Sequence, residues 1–131
     1  MPKSLTVAQY MVKEVVTVHP EVPAADGILL LLKHGISGMP VVDELGNMVG
    51  FLSERDCLKT LVHARYHNLP TTAVRDLMTT EVKTIGPDVG ILEVAEIFVN
   101  NAFRRLPVIE GGKLVGQISR RDVLRAVEKL H

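Results

Sequence analysis

The chain repeats itself once, and that repetition limits its fold more than any other feature. With one gap at Leu45, Val7–Leu61 align with Val74–Val127. Before the gap the offset is 67: Val7 pairs with Val74, Met11 with Met78, Glu14 with Glu81, Val15 with Val82, Thr17 with Thr84, Pro20 with Pro87 and Val22 with Val89. Pro40-Val41 pairs with Pro107-Val108 at the same offset. After the gap the offset is 66, pairing Gly46 with Gly112, Val49-Gly50 with Val115-Gly116, and Ser53, Arg55, Asp56 and Leu58 with Ser119, Arg121, Asp122 and Leu124. Many of these identities fall on Gly, Pro, Ser and Asp, whose backbone roles are specific, so the chain is a duplicated unit.

Each copy reads in the same order. A short helical turn (Val7–Met11; Val74–Met78) precedes a brief strand around Val15–Val18 or Val82–Ile85. After Pro20 and Pro23, or Pro87, comes an apolar helix at Ala24–His34 or Gly90–Asn101, closed in the first copy by Gly35. Strands follow at Met39–Val42 and Leu106–Ile109. The turn-forming stretches Asp43–Asn47 and Glu110–Gly112 join them to strands Met48–Leu52 and Lys113–Ile118. A last helix starts after Ser53 or Ser119. The expected fold is α+β: two βαββα-type repeats, residues 1–66 and 74–131, joined by a linker at 67–73. One copy leaves a sheet face bare, so two packed by pseudo-twofold symmetry would form one compact module with two related clefts between the halves.

Composition narrows the function. Hydrophobic residues are 47% of the 131, with two Tyr, three Phe and no Trp, so the core must be mostly Val, Leu, Ile and Met. Fifteen basic residues balance fifteen acidic ones, which argues against general nucleic-acid binding. The single cysteine, Cys57, excludes an intrachain disulfide and fits a buried apolar role in a reducing compartment. The first residues have no signal-peptide pattern, and the longest apolar run, Ile28–Leu32, is too short to span a bilayer. A soluble cytoplasmic protein is expected.

The most informative segments are Val49-Gly50-Phe51-Leu52-Ser53-Glu54-Arg55-Asp56 and Val115-Gly116-Gln117-Ile118-Ser119-Arg120-Arg121-Asp122. Each ends a strand and opens a helix with Ser-x-x-Asp. This is the pattern of a capping box, in which hydroxyl and carboxylate satisfy the first amides of a helix. A hydroxyl and free amides at a helix start also receive phosphate, so capping and binding are compatible. Met11 and Met78 suit either the core or a cleft wall. His63 and His67 stand at i, i+4, but no third ligand accompanies them and no metal site is expected. There is no Ser-His-Asp set, no Gly-rich phosphate loop and no carboxylate pair outside the caps, so an enzyme is not expected.

The Met of the opening turn, the Thr-containing strand, the (Met/Leu)-Pro-Val strand and Gly-x-(Leu/Ile)-Ser-x-x-Asp, all present twice in order, resemble a tandem pair of CBS domains over nearly the whole chain. The resemblance implies binding of AMP, ADP, ATP or related adenosyl ligands, with Asp on the ribose hydroxyls and Ser at the phosphate. It implies one cleft built from Gln117, Ser119, Arg104 and Asp122 with Met11, Val16, Ile36 and Ser37. The other would use Phe51, Ser53 and Asp56 with Met78, Lys83, Phe103 and Arg104. It also implies a homodimer packed through the outer helices, a regulated partner protein, and no catalysis by the module itself. S-adenosylmethionine, NAD-type ligands, single-stranded nucleic acid and empty clefts with a purely structural role remain alternatives. The copies differ where Ser37-Gly38 is replaced by Arg104-Arg105. With Arg120 and Arg121 nearby, the second copy is either an anion-binding side or a solvated basic surface.

Overall fold

A computed structural model describes residues 5–64 and 72–129, without the side chains of residues 63 and 64. The elements in chain order are α1 (Val7–Tyr10), α2 (Ala24–His34), β1 (Gly38–Val42), β2 (Met48–Ser53), α3 (Glu54–Ala64), α4 (Val74–Leu77), α5 (Ile91–Asn100), β3 (Arg105–Glu110), β4 (Lys113–Ser119) and α6 (Arg120–Glu128). The expected linker falls almost wholly outside the described residues, as does His67.

Two spatial units form, and they do not follow the repeat order. One contains the chain up to Val15 together with Lys83 onward; the other is Val16–Val82. Backbone hydrogen bonds give the reason. The amides of Val7 and Ala8, at the start of α1, donate to the carbonyls of Val89 and Pro87, both at 2.9 Å. Val74 and Arg75, at the start of α4, donate to Val22 and Pro20 at 2.8 and 2.9 Å. A four-residue helix cannot satisfy its own first amides, so each opening turn takes its acceptors from the proline-containing segment of the other repeat.

Each unit is built on one antiparallel hairpin, β1–β2 or β3–β4. A single parallel bridge flanks one edge, Val18 beside Val41 or Ile85 beside Val108. The strands expected at Val15–Val18 and Val82–Ile85 are thus reduced to one bridging residue each. The central prolines explain this. The Pro40 carbonyl accepts from Val18 and the Pro107 carbonyl from Ile85, both at 3.1 Å. The proline nitrogen faces the same edge and has no hydrogen to extend a ladder there. On the opposite edge Thr79 pairs with Phe51, and Val12 with Gln117.

The cores are mostly aliphatic, as expected, with Phe98 the aromatic member. Val18, Leu31, Met39, Val41, Leu52, Cys57 and Val74 fill one; Val7, Ile85, Ile91, Val94, Phe98, Leu106, Val108, Ile118, Val123 and Ala126 fill the other. Helix α2 carries Asp26 in its first turn and Lys33 and His34 in its last, matching its dipole. It ends at Gly35 with φ of 60°, the left-handed conformation that glycine adopts without steric cost. Among the described residues, no helix is long and apolar enough to cross a membrane.

Candidate functional site

Both Ser-x-x-Asp segments sit where a strand turns into a helix, and both are capping boxes. In the Val16–Val82 unit, Asp56 Oδ2 accepts from the Ser53 amide at 3.0 Å and from its hydroxyl at 2.8 Å, while the Asp56 amide donates to Ser53 Oγ at 3.1 Å. In the other unit, Asp122 Oδ2 accepts from the Ser119 amide at 2.9 Å, and the Asp122 amide donates to Ser119 Oγ at 3.2 Å. The first helical amide of each turn is also satisfied, Glu54 by the Ser37 carbonyl at 2.8 Å and Arg120 by the Arg104 carbonyl at 3.1 Å.

The second carboxylate oxygens have different partners. Asp56 Oδ1 accepts from the Thr79 hydroxyl at 3.1 Å. Asp122 Oδ1 accepts from the guanidinium of Arg125, one helical turn on. Asp56 is half-buried and Asp122 is 4% exposed. Neither Thr79 nor Arg125 follows from the repeat alignment. The available signals are a hydroxyl next to the repeated methionine and an arginine three residues after an aspartate.

The neighbouring side chains also differ. In one unit the Phe51 ring covers Gly38 so closely that a Cβ there would lie 2.4 Å from the ring. The corresponding pair in the other unit is Arg105 and Gln117, with Arg105 directly across the hairpin from Ser119. One turn is therefore flanked by an aromatic face and the other by polar and cationic groups.

The expected site residues divide between the units. Met11, Lys83, Phe103, Arg104, Arg105, Gln117, Ser119, Arg121 and Asp122 belong to one; Val16, Ile36, Ser37, Phe51, Ser53, Asp56 and Met78 belong to the other. Met11 and Met78 pack at the edge of the core of their own unit, as do Val16, Ile36 and Phe103. Phe103 meets Phe98 edge to face with ring centres 6.3 Å apart. Arg104 and Arg121 are exposed, and among the described residues neither they nor Arg105 form an ion pair. Arg120 does not join them. Its guanidinium donates to the carbonyls of Phe98 at 3.4 Å and Asn101 at 3.2 Å, closing the C-terminal end of α5. Cys57 is buried beneath the first turn of α3; burial pushes its thiol pKa up, and the charges of Asp56 and Glu54 add to that. No cluster of three or more metal-ligating side chains forms among the described residues.

A hairpin, two flanking helices and a capped strand-to-helix turn, all present twice, define a tandem α+β repeat protein. The CBS-domain family model matches residues 7–63 and 74–129, and the chain belongs to that family. It is 32% identical over 126 residues to an uncharacterized 17.7 kDa protein of Acidianus ambivalens, covering 95% of this chain and 74% of that protein. CBSX2, a CBS-pair protein of Arabidopsis thaliana, solved in complex with AMP, superposes with a TM-score of 0.83 at 28% identity, covering 96% of this chain and 98% of that one. A CBS domain pair solved with 5'-methylthioadenosine and S-adenosyl-L-methionine superposes with a TM-score of 0.75 at 25% identity, over 98% and 100% of the two chains.

Proposed function

We propose that the chain is a cytoplasmic regulatory module that binds an adenine nucleotide of the AMP, ADP or ATP type, signals its occupancy to a separate protein, and catalyses nothing itself. The duplicated turn carries this reading. Each places a carboxylate with two acceptor oxygens beside a helix start, suited to a ribose diol, with a serine hydroxyl next to it for phosphate. Phe51 and Met78 supply apolar surface near Asp56. Arg104, Arg105 and Arg121 supply charge for phosphate on the unit that holds Asp122, and Val16, Ile36, Ser37, Lys83 and Phe103 are proposed wall residues. The ligands of CBSX2 and of the second CBS pair support an adenosyl class, and the latter keeps S-adenosylmethionine in the running.

Native mass spectrometry of the purified protein, followed by thermal shift with AMP, ADP, ATP, S-adenosylmethionine and GMP, tests the reading. A retained adenosyl ligand, or a melting temperature raised by adenine ligands and not by GMP, supports it. No retained ligand and no shift with any of them overturns it. Steady ATP hydrolysis that Asp56→Asn or Asp122→Asn abolishes would overturn the non-catalytic part.

The outer helices favour a homodimer as well. Leu58, Leu61 and Val62 on α3 and Leu124 on α6 are each at least 60% exposed, apolar side chains that a second copy of the chain would cover.

A further inference from the structure

The two Ser-x-x-Asp turns share the amide-to-carboxylate and amide-to-hydroxyl bonds of a capping box, to which Ser53 adds a hydroxyl bond to Asp56 Oδ2, but the partners of Oδ1 differ, and the repeat offsets show which substitutions cause that difference. Thr79 corresponds to Val12 at an offset of 67, and Arg125 to Lys59 at an offset of 66. Beside Asp56 the edge residue carries a hydroxyl, which donates to Oδ1. Beside Gln117 the edge residue is Val12, which has no donor. Asp122 Oδ1 is met instead by the guanidinium of Arg125. Lys59 makes no ion pair among the described residues, having a point charge where arginine has a planar fork.

We infer that Arg125 is a built-in competitor for the acceptor oxygen of Asp122, so that a nucleoside without phosphate fills the Asp56 turn first and Arg125 sets the ribose affinity of the other. The inference rests on the proposed nucleotide-binding function and specifies how the two turns share it. A ribose diol needs both carboxylate oxygens. At Asp56 Oδ1 it displaces a neutral hydroxyl, that of Thr79, from a half-buried carboxylate. At Asp122 it must displace a charge-assisted hydrogen bond from a carboxylate whose side chain is only 6% exposed. Arg125 is itself 63% exposed, so water screens the pair and limits its hold. The expected penalty is about threefold to tenfold in affinity, between that of an exposed ion pair and that of a fully desolvated hydrogen bond to a charged group.

Calorimetry on the full chain, with AMP and then adenosine as probes, separates the outcomes. With adenosine, Asp56→Asn should remove the tighter binding event and Asp122→Asn should leave it intact. Adding Arg125→Ala to Asp56→Asn should then tighten the remaining event about threefold to tenfold. The gain should be the same for AMP and for adenosine, because the group released is a ribose acceptor and not a phosphate ligand. Arg125 is exposed and outside the core, so its removal leaves the fold in place. Equal losses of adenosine binding from the two Asp variants, or unchanged or weaker binding after Arg125→Ala, would overturn the inference and leave the proposed function standing. No binding of AMP, adenosine, ATP or S-adenosylmethionine by any variant would remove the proposed function, and this inference with it.

Discussion

Met11 lies against Gly116 so closely that a Cβ on the glycine would stand 2.7 Å from the methionine sulfur and 2.9 Å from the Val12 carbonyl oxygen. Met78 and Gly50 repeat the arrangement, at 2.6 Å from the sulfur and 3.0 Å from the Thr79 carbonyl. The methionine and glycine shared by the two repeats are thus one contact, which brings the opening turn of one repeat against the hairpin that follows the other.

That contact predicts the effect of adding a methyl group. In Gly116→Ala the Met11 side chain can swing aside, but the Val12 carbonyl cannot, because it accepts from Gln117 at 2.9 Å. Overpacking of this kind costs about 1–3 kcal/mol. Gly116→Ala and Gly50→Ala should each lower the urea midpoint by a corresponding amount. Loss of the Val12–Gln117 or Thr79–Phe51 bridge should show as faster amide exchange at those residues. A midpoint unchanged in both variants would mean that the turns are not held against the hairpins.

The Asp43 turn predicts a stability change in acid. Partial desolvation works to raise the Asp43 pKa, but the amides of Asn47 and Leu45, both at 2.9 Å from Oδ1, the Asn47 side chain and the charge of His19 outweigh it and hold the carboxyl below its ordinary value. A depressed folded pKa gives stability that is complete above the unfolded value, near 4, and is lost as pH falls through the folded one. Glu44 acts in the same direction, through its hydrogen bond from His19 at 3.0 Å. Asp43→Ala should therefore destabilise the protein at pH 7 and have little effect at pH 2. Denaturant melts of both proteins across that range check it, and a difference independent of pH would refute it.

The exposed apolar helices predict an association that polar substitution breaks. Leu61 is 63% exposed and Leu124 is 66% exposed, so Leu61→Lys and Leu124→Lys remove little packing from the folded chain. If the proposed homodimer uses these helices, light scattering should give the dimer mass for the parent and the monomer mass for the double variant, with melting temperatures referred to equal protomer concentration. A parent that is monomeric at micromolar concentration would end this proposal.

Much of this was legible in the sequence, and what was not has identifiable causes. The helices at Ala24–His34 and Ile91–Asn100 and both hairpins follow from local patterns: an apolar face, a glycine stop, two turn sequences. The bridges at Val18 and Ile85 are shorter than expected because proline at the centre of β1 and β3 denies them a ladder. The exchange of opening turns depends on hydrogen bonds such as Val7 to Val89, which join segments too far apart for any local pattern to record. At the site, Ser53, Asp56, Ser119 and Asp122 stand out because they recur. Thr79 and Arg125 do not, because each acts through a difference between the copies. Arg120 looks like part of a basic cluster in sequence, yet its guanidinium reaches back to α5.

The arginines that remain make the last prediction. Arg104, Arg105 and Arg121 lie on the unit that holds Asp122, and none has an ion-pair partner among the described residues. A solvated basic surface and a phosphate-binding surface differ in what they do to AMP compared with adenosine. With Asp122 released by Arg125→Ala and the other turn disabled by Asp56→Asn, the remaining event reports on this unit. Adding Arg104→Ala in that background should then weaken AMP binding about tenfold, the value of roughly one charge-assisted hydrogen bond, and leave adenosine within twofold. Raising the salt concentration should reduce the AMP advantage over adenosine before Arg104→Ala and have less effect after it. Arg104 is exposed and outside any helix, so the variant keeps its fold and its melting temperature is the control. Equal AMP affinity with and without Arg104, at unchanged stability, would mean that these arginines are solvated surface and that phosphate is held elsewhere or not at all.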